Sequence, residues 1–112
     1  MKAAAIIFAS LGLALAGTAI ASERFTDLDY LKANRCKGLA AGLGGADTAG
    51  LDAMLKTEGR IRSEAVLQMG ADQLTRGKRD AGKADLKERT SAELKGPCMA
   101  YLAGGKPSAA SR

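Results

Sequence analysis

Histidine and tryptophan are both missing from this sequence. The lack of histidine removes the commonest general base and the commonest transition-metal ligand, so Ser-His-Asp and Cys-His catalysis are excluded in their usual forms. Other aromatics are scarce: Phe8, Phe25, Tyr30 and Tyr101 are the whole set, and bulky rings cannot dominate a core. β-Branched residues are few and never alternate with a period of two, so nothing in the pattern supports a sheet. What remains for burial is Leu, Met, Ile, Val and much Ala, a composition suited to closely packed helices.

With 112 residues the chain has room for one domain. Met1 and Lys2 make a minimal positive start, and residues 3–16 are uncharged and apolar. Ala19-Ile20-Ala21 then places small residues where a signal peptidase reads them, which predicts a signal peptide over residues 1–21 and cleavage before Ser22. An uncleaved anchor is the alternative, since the charge-free stretch is nearly long enough to span a bilayer. No cysteine follows the cleavage point, so a lipid-modified N-terminus is not indicated. The expected mature protein, periplasmic or secreted, has a helical domain over residues 22–103 and a disordered tail over 104–112, because GGKPSAASR offers nothing to bury.

Cys36 and Cys98 are the two cysteines, and both fall in the part expected to be exported. An even count in a small exported domain reads as one disulfide, Cys36 to Cys98. Two free thiols or a redox pair are the alternatives, the latter without the Cys-x-x-Cys spacing that lowers a thiol pKa.

Thr26 followed by Asp29 resembles a capping box and predicts a first helix over residues 27–42. On that helix Leu28, Leu31, Cys36, Leu39 and Leu43 share one arc of about 140°, which places Cys36 toward the core. Gly42, Gly44 and Gly45 predict its end, and Gly38 with Gly42 offers a spacing that permits close helix approach. Leu51, Met54, Leu55, Ile61, Ala65, Val66 and Met69 keep one phase, which favours a single helix over residues 49–75, bent at Gly59. A break there, with Ser63 starting a new helix, is the alternative. Thr90 or Ser91 is positioned to cap a short helix carrying Leu94, and Pro97 suits the start of a last turn or two from Cys98 to Leu102. The expected fold is therefore all-α, a small bundle of three to four helices closed by one disulfide.

The formal net charge is +5. Residues 76–89 concentrate it, with Arg76, Lys78, Arg79, Lys83, Lys87 and Arg89 against Asp80, Asp85 and Glu88. Such a stretch reads as a solvated connection or an exposed helix, or as a patch for an anionic partner: another envelope protein, an anionic envelope polymer or a lipid surface. Nucleic acid is not expected, because no aromatics interleave with the cations.

Asp27 with Asp29, or Glu88 with Glu93, could be nominated as hydrolytic carboxylate pairs, yet each sits among Lys and Arg and reads first as surface charge. Asp27-x-Asp29 opens like a calcium loop whose remaining ligands do not follow. The glycines between residues 38 and 45 lack the strand and the Gly-Lys-Ser/Thr of a phosphate cradle. No metal or cofactor is expected. These readings favour a non-enzymatic binding or accessory protein of the bacterial envelope, with a stress holdase as the alternative and a carboxylate-pair hydrolase as a distant third.

Overall fold

The computed structural model describes residues 24–107, which form an all-helical domain. Five α-helices and one 3-10 turn occur among the described residues: α1 (Asp27–Leu43), α2 (Ala49–Gly59), α3 (Glu64–Ala81), the turn Ala84–Leu86, α4 (Lys87–Lys95) and α5 (Met99–Leu102). The expected signal peptide lies outside the described residues, as do residues 108–112.

Helix α1 begins with the capping box expected of it. The Thr26 hydroxyl accepts from the Asp29 backbone N–H, and the Asp29 carboxylate accepts from the Thr26 backbone N–H at 3.0 Å. The helix ends at Gly44 and Gly45, whose φ angles of 77° and 83° suit glycine and few other residues. Helix α2 returns antiparallel along α1, with Lys37 paired to Asp52 at 3.0 Å and Gly59 brought beside Tyr30.

At this point the expected continuous helix over residues 49–75 is corrected. The chain breaks after Gly59, turns through residues 60–63, and restarts at α3, where the Ser63 hydroxyl accepts from the Val66 N–H. A Cβ on Gly59 would stand 3.2 Å from the Tyr30 hydroxyl, so the tyrosine occupies the notch the glycine leaves. Arg62 fixes the turn. It donates to Asp27 at 2.7 Å, Glu58 at 2.6 Å and the Phe25 carbonyl at 3.1 Å, and its guanidinium lies over the Phe25 and Tyr30 rings.

Helix α3 consequently runs parallel to α1, and the two meet through glycine. A Cβ added to Gly38 would collide with the backbone of Leu74 and Lys78, and one on Gly77 with the backbone of Arg35 and Leu39. Gly70 makes room for Tyr30 and Asn34, and Gly42 abuts Ala81. Close backbone approach replaces large side chains here, and dispersion across the seam supplies the attraction.

The buried face of α1 keeps Cys36 and Leu39 of the expected arc, with Leu43 packed against the core, but not Leu28. Leu28 is 58% exposed, whereas Tyr30, Ala33, Cys36, Leu39 and Ala40 are buried together with the polar Asp29 and Asn34. Because α1 is covered on several sides, no single arc describes it. The same correction applies downstream: Leu51 and Leu55 are buried, but Ile61 sits exposed in the turn and Met69 is half exposed.

Helix α4 folds back over the upper half of α1. Thr90 does not cap it; the residue lies inside the helix, buried, with its hydroxyl donating to the carbonyls of Leu86 and Lys87. The disulfide then joins Cys36 in α1 to Cys98 just before α5, with Cα atoms 5.6 Å apart. From there α5 crosses α1 and reaches the start of α2, where Gly50 lies against the backbone of Leu102 and Ala103. Residues 104–107 continue the packed part of the chain, since Lys106 donates to the Arg24 carbonyl and pairs with Asp29 at 3.1 Å. The boundary expected at residue 104 thus falls inside the packed part.

Two outcomes test this packing. Gly77→Ala adds a methyl against backbone and should destabilise by at least about 1 kcal/mol in chemical denaturation, despite the helix propensity gained. Gly82→Ala, where a Cβ meets nothing closer than 3.5 Å, should be neutral or stabilising; equal effects at the two positions would refute the glycine seam. Replacing both cysteines by serine opens a bridge spanning 62 residues and should lower stability by roughly 4 kcal/mol in the loop-entropy account.

Candidate functional site

All six cations of the basic stretch are exposed, and they belong to the segment that runs from the end of α3 through the connection to the start of α4, the basic edge of the domain. Arg76, Lys78 and Arg79 occupy the last turns of α3, Lys83 lies in the connection, and Lys87 and Arg89 lie in the first turn of α4. Lys78 and Arg79 lie where cations favour a helix, beside the carbonyls of its C-terminal end. Lys87 and Arg89 stand at the opposite, N-terminal end of a helix, where a positive charge gains nothing from the dipole.

The acids interspersed with these cations do not all remain available to them. Asp80 turns inward and accepts from Arg35 at 3.0 Å, while Arg35 also makes a two-point contact with Glu93 at 2.7 and 3.1 Å. One guanidinium thereby ties α1, α3 and α4 together. The Glu93 hydrogen bonds hold the Arg35 guanidinium above its usual pKa, and Arg35 in turn holds the Asp80 carboxyl below the usual carboxylate range. Among the described residues, Lys83 is the single cation of the six with an ion pair, a long one of 3.9 Å to Asp80.

Three of the four nominated carboxylates are engaged elsewhere. Asp27 pairs with Arg62, Glu93 with Arg35, and Asp29 is 2% exposed beneath the C-terminal segment. Burial alone would raise the Asp29 pKa, but its hydrogen bonds outweigh that cost: the Thr26 backbone N–H, the Tyr101 hydroxyl at 2.7 Å, Lys106 and the Thr26 hydroxyl. Together they hold the carboxyl far below the usual range. Glu88 remains exposed on α4. No group of three or more Cys, Asp or Glu side chains capable of holding a metal occurs among the described residues.

Arg35 and Arg62 are the residues that sequence reasoning missed, as are the contacts of Asp29 with Tyr101 and Lys106. No local signal announces the partners of Arg35, which lie 45 and 58 residues away.

No protein-family model, curated protein or solved structure matches the chain. Functional inference therefore rests on the geometry alone.

Acid should weaken the fold in part through Asp29. Its folded pKa lies below the unfolded value of about 3.9, so its contribution is complete above that pH and disappears as pH falls through and below it. Thermal melts between pH 7 and pH 2 should show stability declining below about pH 4. Asp29→Asn should cost about 1–3 kcal/mol at pH 7 and flatten the acid limb; an unchanged limb would place the sensitive carboxylate elsewhere.

Proposed function

We propose that this chain is an exported, non-enzymatic binding or accessory protein of the bacterial envelope that attaches to an anionic partner through its basic edge. One observation carries this reading: Lys87 and Arg89 stand exposed at a helix start that gains nothing from them, continuous with Arg76, Lys78, Arg79 and Lys83. Diversion of Asp80 to Arg35 leaves that edge more positive than its composition implies. The disulfide is compatible with an oxidising compartment. No helix among the described residues is long and apolar enough to cross a membrane.

Expression of the full chain in a bacterium, followed by fractionation and intact-mass measurement, should find a product beginning at Ser22 with the bridge formed. Cytoplasmic retention of the whole chain with both thiols reduced would overturn export. In the same cells, crosslinking should capture an envelope component, and the triple change Lys78→Glu, Arg79→Glu, Lys87→Glu should abolish that capture without altering the melting temperature by more than a few degrees.

A stress holdase is the second reading. It is favoured by the exposure of Leu28, Ile61, Met69 and Met99, each at 50% or more. Suppression of client aggregation confined to pH below about 4, or to the reduced protein, would favour it over a constitutive binder.

A further inference from the structure

A groove of about 980 Å³ opens beside the disulfide, between α1 and the segment that leads into α5. It is separate from the basic edge. Its apolar lining includes the exposed Pro97 and the half-exposed Met99, together with the buried Tyr101 and the buried Cys36–Cys98 bridge. Three charged side chains also line it: Lys32, Arg35 and Glu93. Two of these engage each other, since both Glu93 oxygens accept from Arg35, whose Nη1 also donates to Asp80. Lys32, exposed on α1, makes no ion pair among the described residues. Lys32 is thus the one charged group lining the groove that no ion pair engages among the described residues, and it stands beside an apolar wall.

That combination selects a ligand class. Small-molecule sites are concave and mostly apolar, with a few polar groups that fix orientation, and their volumes run from about 300 to 1,000 Å³. An apolar body gains from covering Met99 and Pro97, and an anionic head gains from Lys32. A cationic head would meet Lys32 as a like charge. Met99 has the unbranched, polarizable side chain that adapts to an alkyl chain. We infer that the groove is a binding site for a single-chain amphiphile with an anionic head, of the free long-chain carboxylate type, seated with its head at Lys32 and its chain along Met99 and Pro97.

The inference stands apart from the proposed role of the basic edge, and the two are tested separately. Isothermal titration of the disulfide-bonded full chain with dodecanoate, kept below its micelle concentration, should give saturable binding of one equivalent. Dodecyltrimethylammonium should not bind. Lys32→Gln, an exposed change, should weaken dodecanoate binding about tenfold, the order of one charge-assisted contact, and Met99→Asp should remove it. Lys78→Glu with Arg79→Glu should leave it unchanged. Equal affinity for the cationic amphiphile, indifference to Lys32→Gln, a loss in the Lys78/Arg79 variant as large as that in Lys32→Gln, or association only with anionic lipid vesicles would each overturn the assignment.

Discussion

Everything in this domain is arranged around the approach of two helical backbones along Gly38, Gly42, Gly70 and Gly77. A chain with few aromatics and many alanines cannot fill wide spaces between helices. It must remove the space instead, and glycine at the seam is how that is done. With α1 and α3 this close, a single arginine on α1 can reach an aspartate on α3 and a glutamate on α4 at once. The Arg35 contacts therefore depend on the glycines, as does the outward display of the cations that share α3.

At the other end of α1 a different economy operates. The helix start is held by a carboxylate that serves its own cap, a tyrosine hydroxyl from α5 and a lysine beyond it. Arg62 performs the matching task for the turn between α2 and α3, with its side chain 9% exposed. These polar contacts stabilise modestly one by one, yet each would leave a buried charge unpaired if its partner were lost. Their role is to fix which segment lies against which, a task the small apolar core leaves open.

Local signals in the sequence were sufficient for the helix class, the capping box at Thr26, the termination at Gly44 and Gly45, and the pairing of Cys36 with Cys98. Each depends on residues a few positions apart, or on the arithmetic of two cysteines. The core faces were not legible in the same way. Hydrophobic periodicity assumes that burial is achieved by large apolar side chains, so it assigned Leu28 to the interior and passed over Gly70 and Gly77. The helix break at Gly59 was readable as an alternative, but what decides it is Tyr30, almost 30 residues earlier in the chain. For the candidate sites, the basic stretch was visible by composition, whereas the fate of Asp80 and the isolation of Lys32 required the folded arrangement.

The bridge has a topological consequence. Cys36 and Cys98 enclose α2, α3 and α4 in a covalent ring, while the first turns of α1 and all of α5 lie outside it. A protease that cuts once in the exposed connections at residues 44–48 or 82–85 opens the ring without releasing a fragment, and the nicked molecule keeps its mass but for one added water until a reductant reaches the sulfurs. In a compartment rich in proteases, such a domain survives a first cut as a single particle.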